Sequence, residues 1–121
     1  MAERGAIVIN WGEGRPEVGP KGLEVFANAL GYYDGLLKQG RITGYRVYAS
    51  TTHAEGTLVI EGDLAELAKI QIEPESQKQL MLGSAVVRDL TADLCVGGSA
   101  DDVAQFYATG VQALEEAGLN R

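Results

Sequence analysis

The sequence predicts an α+β domain in which an antiparallel four-stranded sheet carries its helices on one face, in the order β-α-β-β-α-β-α. Three observations support this fold class. Short strand-like segments alternate with stretches of helical periodicity. The second and third strand segments are separated only by the turn "THAEG", which favours an antiparallel hairpin. The length of 121 residues suits a single domain over residues 1–121.

The first strand and helix are predicted from residues 5–40. The run "GAIVINW", residues 5–11, is apolar and rich in β-branched residues, as strands are. After a loop rich in glycine and proline, Pro20 suits a first helical position. A helix of about 20 residues follows and ends at Gly40. Its expected apolar stripe is Leu23, Phe26, Ala27, Leu30 and Leu37. A rotated stripe would instead turn Tyr33 inward and leave Asp34 at its edge.

The central segments predict the hairpin and a capped helix. Residues 41–51 and 57–62 contain the β-branched and aromatic residues that favour extended backbone. Asp63 can cap the next helix, and Glu66 can reach back to it in a capping box. Pro74 is expected to break that helix, or to begin a second short one through Leu80 and Met81.

The last segments predict a long fourth strand over residues 84–98 and a final helix. Alternation places Ala92, Leu94 and Val96 on one face of this strand, with Thr91, Asp93 and Cys95 on the other. Ser99, with Asp102 three residues on, is expected to cap the last helix, and Gly118 to end it.

This element order matches the split βαβ, ferredoxin-like arrangement. Its helices cover one face of the sheet, so the other face must be polar or meet a partner. The apolar content of the strands favours burial of that second face against another subunit.

Four segments, "INWGEGRPE", "GRITGYRVY", "TLVIEGD" and "VVRDLTADLCVGG", resemble small bacterial proteins of uncharacterised role in the dimeric α+β barrel superfamily. The resemblance implies a homodimer in which two ferredoxin-like subunits pack sheet against sheet. Better-known relatives include cofactor-independent monooxygenases of the antibiotic-biosynthesis type, muconolactone isomerases and haem-handling enzymes. No residue pattern here matches any one of those active sites.

Composition and charge narrow the functional classes. The formal net charge is −7, and the ten Lys and Arg residues are dispersed, which argues against nucleic-acid binding and against attraction to anionic membranes. No segment has the length and apolarity of a signal peptide or a membrane span. The single cysteine, Cys95, cannot form an internal disulfide, so we expect a cytoplasmic protein.

The sequence motifs predict no cofactor and no metal site. The loop "GEGRPEVGPKG" lacks the Lys and Ser/Thr of a phosphate-binding loop, and Glu17 stands where a dinucleotide fingerprint needs its third glycine. There is no cluster of Cys and His for zinc, and a haem could take only His53 as its axial nitrogen ligand.

Two titratable residues are candidates for catalysis. Asp34 interrupts the apolar stripe of the first helix, where a carboxylate needs a partner; Arg46 and Arg88 are the candidates for that role. His53, the only histidine, lies at the turn between the second and third strands, where an exposed structural role is the commoner one.

The ligand-binding candidates are Arg46, Tyr48, Trp11 and Arg88. Arg46 and Tyr48 share a strand face, which would suit an anionic or carbonyl-bearing ligand. Trp11 and Tyr48, with Tyr45 and Tyr107, could wall an aromatic cavity, although aromatic residues more often fill a core or a subunit contact. Gly31 and Gly35, four residues apart, suggest either tight helix packing or room for a ligand.

These observations predict a homodimer of uncharacterised function that binds a small molecule between its sheet and its helices. The alternative is a cofactor-independent monooxygenase or isomerase acting on a small aromatic or carboxylate substrate, with His53 or Asp34 as base.

Overall fold

The computed structural model describes residues 3–119. Its strands are β1 (Arg4–Trp11), β2 (Gly44–Ala49), β3 (Gly56–Asp63) and β4 (Thr91–Val96), and its helices are α1 (Lys21–Lys38), α2 (Leu64–Ile72), α3 (Pro74–Val86) and α4 (Ala100–Glu116). A short 3-10 turn, Pro16–Val18, precedes α1. The strands form one antiparallel sheet in the order β2-β3-β1-β4. The predicted ferredoxin-like architecture is confirmed.

The core lies between one sheet face and the helices. Alternate residues of β1 and β3 supply Ile7, Ile9, Leu58 and Ile60, because successive side chains of a strand point to opposite faces. Helix α2 covers them with Leu67 and Ile70, which together with Ile60 are fully buried. The other face carries half-buried and exposed side chains, with Val8 and Val59 directly paired at its centre.

The face of α1 that packs on the core belongs to the rotated stripe, the alternative with Tyr33 turned inward. Tyr33 and Leu36 are buried, whereas Leu23 is 75% exposed and Leu37 is at the surface. The helix begins after Pro20 and ends as predicted at Gly40. Gly40 has a φ of 73° and, with Arg41, donates its N–H back to the last turn, at Leu37 and Leu36. This pairing is the Schellman motif, which favours glycine.

The predicted fourth strand is too long. Residues 84–86 are the last turn of α3, and only Thr91–Val96 join the sheet. Val86 and Arg88 instead exchange backbone hydrogen bonds with the loop after β1: the N–H of Arg15 to Val86 O (2.8 Å), that of Arg88 to Glu13 O (2.9 Å) and that of Gly12 to Arg88 O (2.7 Å). Asp89 then turns the chain with a φ of 57°. Within β4 the predicted alternation is confirmed: Ala92 and Leu94 lie opposite the core residues Ile9 and Ile7 of β1.

Helices α2 and α3 meet at a sharp corner. Glu73 has extended backbone, as expected of a residue before proline, and Pro74 begins α3, which runs beyond the predicted end at Met81. Asp63 caps α2 by accepting from the N–H of Glu66 at 3.1 Å. The Glu66 carboxylate does not reach back; it accepts from Arg41 Nε at 2.8 Å.

Arg41 ties the end of α1 to this corner. Its guanidinium also donates to both carboxylate oxygens of Glu73, at 2.9 and 2.6 Å. The hydrogen bond from Arg41 lowers the pKa of the Glu73 carboxyl. One arginine therefore holds both ends of α2 beside the connection from α1 to β2.

Helix α4 has an apolar side that no other part of residues 3–119 buries. Ser99 caps it through the N–H of Asp102, and Gly118 ends it with a φ of 73°, both as predicted. None of its residues is buried, and Phe106, Tyr107, Val111 and Leu114 are all exposed. Among residues 3–119 no helix is long and apolar enough to cross a membrane.

The orientation of α1 leads to a first prediction. Leu36→Ala should lower the free energy of unfolding by about 2–5 kcal/mol, because it leaves a void in the core. The same change at exposed Leu23 should alter it by no more than about 0.5 kcal/mol. Urea unfolding followed by circular dichroism measures both. Equal losses of stability in the two variants would contradict the burial of Leu36 on the inward face of α1.

Candidate functional site

A cavity of about 510 Å³ lies between the helix-facing side of the sheet and helices α1 and α3. The sheet contributes Ile9, Trp11, Val47 and Leu58 to its lining. Helix α1 contributes Val25, Phe26, Ala29 and Tyr33, and α3 contributes Gln79, Leu80, Gly83 and Val86. The volume is in the range of small-molecule sites, which are typically apolar with a few polar groups.

The cavity exists because α2 and the α1–α3 pair cover different parts of the sheet. Helix α2 contacts β1, β3 and β4 and fills the space above them with large aliphatic side chains. Helix α3 packs chiefly against α1 and α2. The loop after β1 borders the remaining space with Arg15 and Val18.

Aromatic rings form a large part of the wall. The rings of Trp11 and Phe26 are 5.8 Å apart and inclined at 58°. The indole of Trp11 also lies against Gly56, where any β-carbon would overlap the ring. Glycine at this position therefore lets the indole lie flat across the end of β3.

Tyr33 brings a neutral hydroxyl to the same wall. Its side chain is buried, and this desolvation, with a smaller contribution from the neighbouring Tyr32, raises its pKa above the ordinary value. The phenol is therefore protonated throughout the physiological pH range. Tyr32 itself shares a hydrogen bond of 2.6 Å with Ser76, which joins α1 to α3.

Of the four predicted ligand-binding residues, Trp11 is the one that lines the cavity. Arg46 and Tyr48 do share a strand face, but it is the face turned away from the helices. Arg46 Nε lies 3.8 Å from Glu61 Oε1 there. Tyr48 borders a second depression beside the β2–β3 turn, with Asn10 and Glu55.

The titratable candidates are also outside the cavity. Asp34 lies at the edge of α1 and forms an ion pair with Lys38 at 3.0 Å, so neither arginine is its partner. Arg88 Nε lies 3.8 Å from Glu13 Oε1 on the surface. His53 is exposed in the β2–β3 turn, with Nδ1 2.8 Å from Thr52 Oγ1. Catalytic or binding roles for these residues stay predictions.

Other expectations are corrected by the same geometry. Tyr107 is exposed on α4, and Tyr45 packs against the core. A β-carbon at Gly31 or Gly35 would meet nothing within 4 Å, so neither glycine marks tight packing in the described chain. No group of three or more His, Cys, Asp or Glu side chains within residues 3–119 is placed to hold a metal ion.

Solved structures share this architecture. A dimeric ferredoxin-like protein of unknown function from Thermobifida fusca superposes with a TM-score of 0.59 and 16% identity, covering 78% of this chain and 92% of that one. This chain has the ferredoxin-like fold. The resemblance seen in the sequence is confirmed at the level of fold.

Two further structures connect this fold with oxygenases. One is a putative antibiotic biosynthesis monooxygenase from Caulobacter crescentus (TM-score 0.59, 9% identity, 81% of this chain and 92% of that one). The other is a cofactor-independent oxygenase from Streptomyces nogalater (TM-score 0.55, 12% identity, 82% and 94%). The chain matches no protein-family profile, and no curated protein sequence matches it.

The contact between Trp11 and Gly56 leads to a second prediction. Gly56→Ala should lower the free energy of unfolding by about 1–3 kcal/mol, because the new methyl group displaces the indole. Gly44→Ala, in the neighbouring strand, meets no atom within 4 Å and should be neutral or stabilising by up to about 1 kcal/mol. Thermal and urea unfolding of the two variants measure the difference. A Gly56→Ala protein as stable as the Gly44→Ala protein would contradict the described wall.

Proposed function

We propose that this protein binds a small, largely apolar aromatic molecule in the cavity between the sheet and helices α1 and α3. The observation that carries the proposal is the cavity itself, about 510 Å³ with an aromatic wall formed by Trp11, Phe26 and Tyr33. Transfer of an apolar ligand from water into this cavity would lower the free energy. Arg15 is the charged residue of the lining, so the charges of a highly charged ligand would find too few partners to offset their loss of hydration.

Cofactor-independent oxygenation of such a molecule is the second candidate. It is supported by structures of the same fold that are described as putative antibiotic biosynthesis monooxygenases and as a cofactor-independent oxygenase. It ranks second because the described lining contains no carboxylate or imidazole that could serve as a base. His53 and Asp34, the proposed bases, would have to act from outside the cavity.

A third prediction tests binding. Naphthalene and small phenols should raise the melting temperature of the protein, because a ligand that binds only the folded state stabilises it by mass action. Ala29→Phe should fill the cavity from α1 and weaken binding at least about tenfold. Ala27→Phe, on the exposed side of the same helix, should leave binding unchanged.

Isothermal titration calorimetry of the two variants gives the affinities, and an oxygen electrode run on the same ligands tests the second candidate. If no aromatic compound binds, the proposed function is wrong. If binding persists in Ala29→Phe, the ligand occupies another place. Oxygen uptake that depends on the wild-type protein would favour the oxygenase.

We further propose a cytoplasmic homodimer formed through the helix-free face of the sheet. Val8 and Val59 at the centre of that face are half-buried already, and the apolar side of α4 is exposed. Structures of the same fold from Thermobifida fusca and Jannaschia are described as dimeric. A second copy would bury apolar surface that the chain leaves in water.

A fourth prediction tests the dimer. Light scattering should give twice the chain mass of 12.9 kDa. Val59→Lys should shift the mass to that of the monomer, because a twofold interface would bring the two new charges close together. Leu23→Lys, a change at an exposed leucine on α1, should leave the dimer intact. A monomeric wild-type protein would contradict the proposal, as would a Val59→Lys protein that remains dimeric.

A further inference from the structure

Gln79 is a lining residue of the cavity whose side-chain carbonyl has no hydrogen-bond partner. The residue is 9% exposed, on the face of α3 that borders the cavity. Its Nε2 donates to Glu75 Oε1, one helical turn earlier, at 3.3 Å. Its Oε1 is buried and unpaired among the described residues. Buried acceptors are nearly always paired, so an unpaired one needs an explanation.

The orientation of the amide follows from its neighbour. Reversing the amide would place its oxygen against the Glu75 carboxylate, where two acceptors would face each other. The oxygen therefore remains the unsatisfied atom. The terminal torsion of glutamine is broad, so the amide oxygen can adjust to a donor that a ligand brings to this part of the lining.

The other polar groups of the lining are chiefly donors. The Trp11 indole has only an N–H to offer, and the Arg15 guanidinium offers only N–H groups. The Tyr33 hydroxyl can donate or accept, and its raised pKa keeps it protonated. Gln79 thus supplies the strong side-chain acceptor of the described lining.

We infer that Gln79 determines specificity, by accepting a hydrogen bond from the hydroxyl group of a neutral aromatic ligand. This inference rests on the proposed function and adds the chemical class of the ligand. An ionised phenolate or a carboxylate would present acceptors to Gln79 and would be disfavoured. An aromatic molecule without a donor would fit the cavity but leave Oε1 unpaired.

The test compares three ligands of similar shape: 2-naphthol, which donates a hydrogen bond; 2-methoxynaphthalene, which can only accept; and naphthalene, which does neither. Calorimetric titration of the full chain should show 2-naphthol binding about tenfold more tightly than 2-methoxynaphthalene. Gln79→Met keeps the approximate length of the side chain and removes the acceptor, so it should abolish this preference while naphthalene still binds.

Gln77→Met is the matched control. Gln77 is exposed on the same helix, and its replacement should leave the tenfold preference intact. Circular dichroism melting should show that Gln79→Met folds at least as stably as wild type, because the substitution removes an unpaired buried acceptor. If Gln79→Met unfolds, Gln79→Leu serves in its place.

Two negative results separate the inference from the function on which it rests. If naphthalene binds but wild type binds 2-naphthol and 2-methoxynaphthalene equally, Gln79 does not select the ligand and the cavity still binds aromatics. The same conclusion holds if the preference survives in Gln79→Met. If none of the three ligands binds, the proposed function itself fails.

Discussion

The pairing of two distant loops is the constraint on which the rest of the structure depends. Backbone groups of residues 12–15, after β1, exchange hydrogen bonds with residues 86–88, at the end of α3. This short antiparallel contact, centred on Gly14 and Val87, ends α3 and delays the start of β4. It also fixes Arg15, Val86 and Val87 around one end of the cavity. Residues more than 70 positions apart thereby determine where the sheet ends and where the cavity begins.

The order of the elements, the hairpin and four of the helix ends could be predicted because their signals are local. Asp63, Ser99, Gly40 and Gly118 act on hydrogen bonds within their own turn. The length of β4 could not be predicted in this way. Val86 and Val87 have the β-branched character of a strand, and only their contact with the loop after β1 assigns them elsewhere.

The cavity was harder to foresee than the fold. The apolar periodicity of α1 fits two rotations of the helix, because both place Phe26 and Leu30 inward. Hydrophobicity does not favour Tyr33 over Leu37 as the buried residue, so the sequence does not decide between the two rotations. Trp11 could be predicted as a wall residue because it is aromatic, and aromatic side chains commonly line small-molecule cavities. Gln79 was missed, since nothing local distinguishes it from Gln77 on the same helix. Only the packing of α3 against α1 makes Gln79 a lining residue, whereas Gln77 stays exposed and its Nε2 donates to Gln71 O at 2.6 Å.

The position of Trp11 has a practical consequence for studying this protein. The chain has one tryptophan, and its indole forms part of the cavity wall, between Phe26 and the backbone at Gly56. Tryptophan fluorescence therefore comes from a single place in the chain, the one where a ligand would displace water or touch the ring. A shift in emission wavelength or a quenched signal would report occupancy of the cavity without a label. The cavity therefore carries its own optical probe.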